Sequence, residues 1–224
     1  MRCVINLGNP LLAQADGASA KGVSVDMAQA LAQQLNTNCE LLLVNNAREA
    51  VKALAQDQVD IGFLAVDPSR AEQIAFTQPY LLIEGCYLVQ QDSPLMDITQ
   101  VDQVGIDVVV GLGSAYDLHL SRHLKHARLV RAESSKDVVP TFLQGGHAVA
   151  AGVKHQLETD AARHPGLRLL PGAFMPIQQA MATPKKRGAE ALRSLEDFVQ
   201  AQKQNGFIKA AMQAHGVSGA SLAP

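Results

Sequence analysis

Short apolar runs and amphipathic stretches alternate along the first third of the chain. Three short runs are mostly apolar, which is typical of buried strands rather than of helices. They cover residues 3–7, 39–44 and 59–64. Helical spacing of apolar residues lies between them, in a segment capped by Ser24 with an apolar face reaching Leu35, and again over residues 47–55. This βαβαβ order predicts a parallel sheet with helices on both faces.

A second alternation of the same kind follows the first. Strands are predicted at residues 108–110, 128–131 and 148–151, and helices at 114–124 and 135–143, before helical stretches at 189–204 and 208–215. The chain therefore reads as two α/β units in series with a helical tail. Ligands of open α/β sheets lie at the carboxyl ends of the strands. The candidate site segments are residues 6–10, 65–70, 111–115 and 152–156.

Composition narrows the classes of function. Hydrophobic residues make up 47% of the 224 residues, enough for a sizeable core, and the net charge is only -2. A net charge this close to zero does not indicate the basic surface that binds nucleic acid, and the lack of Trp argues against a surface on which bases stack. Three cysteines outside any CxxC spacing indicate neither a disulfide scaffold nor a zinc site. No cofactor and no metal are expected.

The first residues of the chain do not decide between a periplasmic and a cytoplasmic location. No run approaches the roughly 18 apolar residues of a membrane helix, and no cationic segment precedes an apolar one at the start. Two explanations fit: a periplasmic protein whose signal peptide has been removed, or a protein that stays in the cytoplasm.

Arg70 is the first candidate binding residue. Asp67 and Pro68 are predicted to open a short helix after a buried strand, which places Arg70 one turn into that helix. A guanidinium there can hold a carboxylate through two parallel hydrogen bonds. The alternative is a surface arginine paired with Asp67 or Glu72.

A glycine loop is the second candidate. Gly111, Gly113, Ser114 and Ala115 lie between a strand and a helix that Ser114 and Asp117 are predicted to cap. The free backbone N–H groups of such a turn can hold an anion. Alternatively, the glycines serve only the packing of strand against helix.

Several motifs resemble those of the bacterial family 3 extracellular solute-binding proteins, the polar amino-acid type of periplasmic binding protein. The resemblance covers nearly the whole length in the expected order. It rests on GVSVDMA at 22–28, VDIG at 59–62, Arg70, IAFTQPY at 74–80, GS at 113–114 and GFI at 206–208.

The resemblance implies an architecture. It is the two-lobed type II periplasmic-binding-protein fold, an α/β fold in which each lobe is an open, mostly parallel sheet with flanking helices. Lobe 1 would comprise residues 1–84 and 182–224, and lobe 2 the inserted residues 87–178. Two hinge strands, at about 83–89 and 176–182, would let the lobes close on a ligand between them. The expected partners are a small carboxylate and the membrane subunits of an ABC transporter, with the protein a monomer.

The resemblance also implies binding residues. Arg70 matches the arginine that holds the ligand carboxylate, while Ala65 and Ala115 would offer backbone N–H groups only. Gly62 and Phe63 would line the cleft, and Asn6 and Asn9 follow the first strand. The second lobe adds Gly113 and Ser114.

One position departs from the family pattern. Val153 stands where members commonly have an aspartate for the ammonium of the ligand, and an aliphatic side chain cannot balance that charge. We therefore hypothesise a ligand other than an ordinary α-amino acid held in the ordinary way. Lys154 and Gln156 are the nearest polar replacements, and Glu84 is the one acid that would restore an ammonium partner. Lys154 as a solvated lysine and Glu84 as a hinge residue remain alternatives.

An enzyme is the alternative class, because some relatives of this fold are dehydratases of cyclic dienyl acids. Glu84 and His155 are the candidate acids for that chemistry, but no catalytic motif surrounds them. His119, His123 and His126 are predicted to line one helix without a further ligand type, which favours a polar surface over a metal site. A ligand-sensing module for a signalling partner is the third possibility.

Overall fold

The computed structural model describes all residues from 1 to 224. The strands are β1 Arg2–Asn6, β2 Gln14–Asp16, β3 Ser19–Lys21, β4 Glu40–Val44, β5 Ile61–Ala65, β6 Ile74–Phe76, β7 Leu81–Gln90, β8 Asp107–Gly111, β9 Arg128–Ala132, β10 Val149–Val153, β11 Leu167–Leu169, β12 Met175–Pro184 and β13 Ala220–Leu222. The helices are α1 Val23–Gln34, α2 Ala47–Ala55, α3 Pro68–Ala71, α4 Ala115–His123, α5 Val138–Gly145, α6 Lys154–Arg163, α7 Gly188–Gln204 and α8 Phe207–Ala214.

The chain divides into two compact units. Unit 1 comprises Met1–Leu82 and Gln178–Pro224, and unit 2 comprises Ile83–Ile177. The chain passes from one unit to the other within β7 and returns within β12. These two strands cover the segments expected to act as hinges, and their hinge role stays a prediction.

Unit 1 has a sheet of parallel strands closed on one side by an antiparallel strand. β1 runs parallel to both β4 and β5, with Val4 opposite Leu42 on one side and Gly62 on the other. β12 pairs antiparallel with β5 and with β6. Every residue of β5 is buried, as expected of a strand covered on both faces.

Two helix starts in unit 1 show different capping. α2 is capped by Asn46, whose side chain accepts a hydrogen bond from the backbone N–H of Glu49. α1 begins two residues earlier than expected: its N-cap is Gly22, with φ of 130°, and Ser24 lies inside the helix. A Cβ at Gly22 would come within 2.4 Å of the Leu12 carbonyl oxygen, so close backbone contact rather than a side chain sets this start. Leu35, expected on the core face, is exposed.

Unit 2 repeats the parallel arrangement. β8 pairs in parallel with β9 and with β10, and β10 pairs antiparallel with β7, which also carries β11. The core between this sheet and helices α5 and α6 includes Cys86, Phe142 and Leu157. The α/β prediction with mostly parallel sheets is therefore confirmed, and the antiparallel pairs involve the long strands β7 and β12. None of the helices is both long enough and apolar enough to span a bilayer.

Candidate functional site

Arg70 is positioned by a short helix directly after β5. The side chain of Asp67 caps α3 by accepting hydrogen bonds from the N–H and the hydroxyl of Ser69. Pro68 occupies the first turn, where its missing N–H costs nothing. This local chemistry is the one that the sequence predicted, and it turns the chain so that Arg70 points back towards the strand end.

The Arg70 side chain is buried, with only 4% of the residue exposed. Its Nη1 donates a hydrogen bond to the carbonyl oxygen of Ala65 at 2.8 Å. Burial lowers the pKa of Arg70 to about 10, and the carboxylate of Asp67 acts in the opposite direction without overcoming it. The group therefore remains a cation at neutral pH in surroundings that disfavour its charge. The alternative of a solvent-exposed surface arginine is wrong.

The neighbouring strand residues serve packing. A Cβ at Gly62 would lie 2.7 Å from Cγ1 of Val4 and 3.0 Å from Cδ1 of Leu54. A side chain at Gly62 would thus face the core beneath α2, and the expected place of Gly62 in the wall of a ligand cleft stays a prediction. Phe63 is also buried, and its ring meets that of Tyr80 edge to face at 6.2 Å between centroids. Ala65 contributes the carbonyl oxygen that orients Arg70, a role different from the N–H donor expected of it.

The loop after β1 is stabilised by hydrogen bonds within the loop. Asn6 accepts a hydrogen bond from the N–H of Gly8 at its Oδ1, over 2.9 Å. The carbonyl oxygen of Asn9 accepts from the N–H groups of Leu12 and Ala13. These contacts give Asn6 and Asn9 a turn-forming role in unit 1.

In unit 2 two candidate segments meet at one edge of the sheet. β8 and β10 are parallel, with Val108 opposite Val149, so both end at the same side. The glycine loop of residues 111–115 follows β8, and α6 starts directly after β10. We call this side the strand-end edge of unit 2.

The glycine loop of residues 111–115 binds a carboxylate of the protein itself, that of Asp117. Ser114 caps α4 by accepting from the N–H of Asp117, as predicted. The carboxylate of Asp117 does not return to Ser114; its Oδ2 accepts from the N–H of Gly113 at 2.8 Å. The expected anion cradle is therefore occupied at Gly113. Ala115 is buried in the first turn of α4.

Asp117 joins this loop to the neighbouring strand. It is 3% exposed, and its carboxylate also accepts from Nε of Arg131 at 3.0 Å and from the hydroxyl of Ser121 at 3.2 Å. Arg131 in turn donates to Ser121. Sequence reasoning identified Asp117 only as a cap, because nothing local indicates that β9 delivers an arginine beside it.

The three polar candidates of unit 2, Lys154, Gln156 and Glu84, form contacts within that unit. Lys154 Nζ lies 2.6 Å from Oε2 of Glu84, and Glu84 raises the pKa of the lysine. The lysine side chain is 38% exposed and the glutamate 52%. Gln156 donates to Asp160 on its own helix at 2.9 Å. Lys154 and Glu84, predicted as separate ligand contacts, thus form one ion pair. Lys154 is a partly solvated lysine at a helix start and Glu84 has a hydrogen-bonded carboxylate, as their alternatives expected, and their ligand roles stay predictions.

Val153 and Gly85 explain how that pair forms. They lie opposite each other at the end of the β7–β10 ladder, so Lys154 and Glu84 are the next residues beyond it. Val153 ends its strand as the N-cap of α6 and offers no side-chain hydrogen bond there. A Cβ at Gly85 would lie 2.9 Å from Cγ of Met175, the first residue of β12. Met175 therefore packs directly against β7 at this glycine.

The histidines do not form a metal site. His119 and His123 stack on α4 at 4.0 Å between centroids, whereas His126 lies beyond the helix end. The N–H of His126 donates to the carboxylate of Asp102, which also accepts from Lys125 and Ala127. Over the whole chain no group of three His, Cys, Asp or Glu side chains is placed to hold a metal ion.

These features define a class. Two α/β units carry cations at the carboxyl ends of parallel strands, Arg70 buried and Lys154 partly exposed. Open α/β sheets bind small ligands at these strand ends, so the arrangement suits a protein that binds small solutes.

The family follows from the sequence itself. Residues 3–217 match the model of the family described as "Bacterial extracellular solute-binding proteins, family 3". The chain belongs to this family, which confirms the resemblance found in its motifs. The family is described as one of binding proteins rather than of enzymes, in agreement with the expected class.

Individual relatives are distant. An arginine-binding periplasmic protein of Mannheimia haemolytica is 23% identical over 148 residues, 65% of this chain and 59% of the relative, so the match spans about three fifths of that protein. Among solved structures, the solute receptor for L-cysteine of Neisseria gonorrhoeae superposes with a TM-score of 0.83 at 20% identity, covering 96% of this chain and 89% of the other. A binding component of an ABC transporter from Wolinella succinogenes DSM 1740, complexed with lysine, has a TM-score of 0.82 at 17% identity, covering 96% and 94%. These likenesses confirm the type II periplasmic-binding-protein fold.

Proposed function

We propose that the protein captures a small carboxylate-bearing solute, an amino acid or a related organic acid, with Arg70 as the partner of the carboxylate. The observation that carries the proposal is the guanidinium of Arg70, which is buried at a strand end with 4% exposure.

The physical reason lies in the cost of a buried charge. Burial lowers the pKa of Arg70 to about 10, so the surroundings oppose the cationic form even with Asp67 nearby. A carboxylate that binds to the guanidinium supplies the opposite charge through short, charge-assisted hydrogen bonds. The hydrogen bond from Nη1 to Ala65 orients the planar group, so that less side-chain entropy is lost on binding.

The relatives support this ligand class. The proteins named above bind arginine, lysine or cysteine, each of which carries an α-carboxylate. The arginine and lysine side chains are cationic and that of cysteine is not, so the α-amino-acid backbone is the part shared by all three and the part whose carboxylate one buried arginine is suited to recognise.

The biological setting follows from the family. We propose that the protein acts in the periplasm as a monomer and delivers its solute to the membrane subunits of an ABC transporter, for amino-acid uptake. Closure about the two hinge strands stays a prediction from the sequence.

The dehydratase alternative is not favoured. General-acid chemistry needs a carboxyl group whose proton is held by apolar surroundings. Glu84 is half-exposed and bound to Lys154 at 2.6 Å, which is the opposite environment. The sensor role would use the same binding residues and is not favoured by the relatives named above.

The test measures the carboxylate and the arginine separately. Isothermal titration with L-arginine, L-lysine, L-cysteine and L-glutamine, each beside its primary amide, identifies the solutes bound and their dependence on the carboxylate. We expect the acids to bind at least about 100-fold more tightly than the amides, as for a charge-assisted contact with a buried cation.

The protein-side arm uses Arg70→Ala with Arg193→Ala as its matched control. Arg193 is an exposed arginine of α7 that contacts only the carbonyl oxygen of Ala189 on its own helix. Arg70→Ala should weaken binding by about 100-fold or more, and Arg193→Ala by less than about twofold. Circular dichroism checks that both variants fold. Equal binding of acid and amide by the unmodified protein would refute the proposal without any variant.

A further inference from the structure

We infer that Gln179 in unit 1 is the partner of the α-ammonium group of the solute, which makes α-amino acids the solute class. A neutral amide, rather than a carboxylate, then holds the ammonium. This inference rests on the proposed function, in which Arg70 holds the carboxylate of the same solute.

Gln179 is a buried polar residue whose side chain has no partner. The residue is only 6% exposed, and its amide forms no hydrogen bond within the protein. Of the other buried polar residues, Ser24 lies beside the hydroxyl of Tyr80. The remaining six form hydrogen bonds through their side chains: Asp67, Arg70, Thr77, Ser114, Asp117 and Thr183. A buried amide without a partner is unfavourable, so the amide of Gln179 gains from a partner outside the protein.

The amide of Gln179 is unpaired but not sealed from solvent. Oη of Tyr80 is the one side-chain oxygen or nitrogen that is both inaccessible and without a hydrogen bond. The amide oxygen and nitrogen of Gln179 therefore belong to the small part of this residue that is exposed. A dissolved molecule can reach them.

Gln179 lies at the strand end that carries Arg70. In the antiparallel β5–β12 ladder it is paired with Ala65, the last residue of β5, and the side chains of such opposite residues lie on one face. The carbonyl oxygen of Ala65 accepts the hydrogen bond from Nη1 of Arg70 at 2.8 Å. Ala65 thus borders both Gln179 and Arg70, and all three residues belong to unit 1.

The backbone of Gln179 is fixed on both sides. Strand register pairs it with Ala65, and its carbonyl oxygen accepts from the N–H of Tyr80 at 2.8 Å. Only the torsions of the side chain are left to adjust to a solute, which limits the entropy lost on binding.

The two groups match the two charges of an α-amino acid. A guanidinium has donors only, so Arg70 can serve the carboxylate of the solute but not its ammonium. The amide oxygen of Gln179 is an acceptor and can take an N–H of the ammonium in a charge-assisted hydrogen bond. Arginine, lysine and cysteine, which the relatives named above bind, all carry both groups on one carbon atom.

The carboxylate of Asp67 is already used by α3. Its Oδ1 accepts hydrogen bonds from both the N–H and the hydroxyl of Ser69, and the residue is 3% exposed. The amide oxygen of Gln179 is an acceptor at this strand end that no helix cap uses.

The experiment compares each amino acid with the acid that lacks its α-amino group. Titration calorimetry is run with L-cysteine and 3-mercaptopropanoate, L-lysine and 6-aminohexanoate, and L-glutamine and 4-carbamoylbutanoate. The observable is the dissociation constant of the des-amino acid divided by that of the amino acid. We expect a ratio of about ten or more in every pair that binds. A ratio near one in the unmodified protein would refute the inference without any variant.

The variants then assign this preference to the amide. Gln179→Met keeps the length of the side chain, and it should weaken binding of the amino acids about tenfold and of the des-amino acids less than about twofold. Gln179→Glu should raise the ratio, because a carboxylate attracts the ammonium more strongly and repels the carboxylate of the solute. The matched control is Gln178→Met, at the exposed neighbour on β12, which should leave the ratio unchanged.

The unpaired state of the amide is tested without any solute. Because Gln179→Met removes no hydrogen bond within the protein, its melting temperature should not fall below that of Gln178→Met, measured by circular dichroism. A clear fall would show that the amide has a partner inside the protein, and the inference would be wrong.

The outcomes separate this inference from the proposed function. If Gln179→Met weakens both members of each pair equally, the amide donates to the carboxylate, and if it changes neither, the amide bonds only to solvent. Either result overturns the inference while the effect of Arg70→Ala still stands. If no acid binds, or if Arg70→Ala has no effect, the proposed function fails and this inference fails with it.

Discussion

Arg70 in unit 1 and Lys154 in unit 2 occupy equivalent places in their folds, yet their electrostatics are opposite. Each lies at the start of a helix that directly follows a sheet strand, α3 after β5 and α6 after β10. Arg70 is 4% exposed, and burial lowers its pKa to about 10. The Lys154 side chain is 38% exposed, and its hydrogen bond to Glu84 raises its pKa.

The difference shows that a strand-to-helix junction supplies the position of a charge but not its role. A buried guanidinium loses hydration, so it gains from an anion that binds to it. An exposed lysine that has its own glutamate is already paired within the protein. The buried cation is therefore the one that we propose as the partner of a solute carboxylate.

The largest expected effect concerns the buried carboxylate of Asp117 in unit 2. Asp117→Ala removes the buried carboxylate shared by Gly113, Ser121 and Arg131, and takes a charged acceptor from these part-buried hydrogen bonds. We expect the free energy of unfolding to fall by about 2–3 kcal/mol, measured by urea denaturation. The exposed Glu133→Ala serves as control. A loss below about 0.5 kcal/mol would mean that this carboxylate does not hold the edge.

The next effect sharpens the role given to the buried cation. Arg70→Lys keeps the charge but loses the planar pair of donors. Affinity for the best carboxylate of the amino-acid panel should fall about 30-fold, near 2 kcal/mol, in titration calorimetry. Arg193→Lys should leave it unchanged. Full affinity in Arg70→Lys would show that charge alone, without bidentate geometry, is enough.

A smaller effect is expected from the exposed cation. Lys154→Met should change the free energy of unfolding by less than about 1 kcal/mol, because solvent screens a pair with about half of its area exposed. Urea denaturation of Lys154→Met and of Glu84→Gln measures it. If either variant lost as much free energy of unfolding as Asp117→Ala, the ion pair would be a structural contact and the contrast with Arg70 would be wrong.

The smallest effect appears only in acid. Three backbone N–H groups, of Ala127, His126 and Lys125, lower the pKa of Asp102 to about 2 from its usual 3.8. Because the folded value lies below the unfolded one, this stabilisation is present above about pH 4 and is lost as the pH falls towards 2. Asp102→Asn should flatten the fall in melting temperature across that window. An unchanged pH profile would contradict the assignment.

Local patterns anticipated much of the fold. Apolar runs placed β1, β4 and β5, and the side-chain caps at Asp67 and Ser114 were predicted correctly. These features depend on neighbouring residues, through side-chain alternation and through hydrogen bonds that span three or four positions.

The features that local patterns missed have a common origin in contacts between distant residues. A side chain at Gly62 would face Val4 and Leu54 because β5 lies against β1 and beneath α2, which a strand pattern alone does not reveal. The start of α1 depends on the Leu12 carbonyl oxygen, ten residues before Gly22 by numbering. His126 was predicted on the same helix face as His119 and His123, but it lies beyond the end of α4, where its N–H donates to the carboxylate of Asp102.

The sequence by itself determined that this is an α/β protein of the solute-binding family, with an arginine one turn into the helix that follows a buried strand. Only the tertiary structure decided how the charges are matched. Lys154 meets Glu84 across 70 positions of sequence, and Asp117 meets Arg131 across 14, because strand register brings them together. Short-range periodicity encodes secondary structure, whereas the partner of a charged side chain is settled by which strands pair and how deeply each residue is buried.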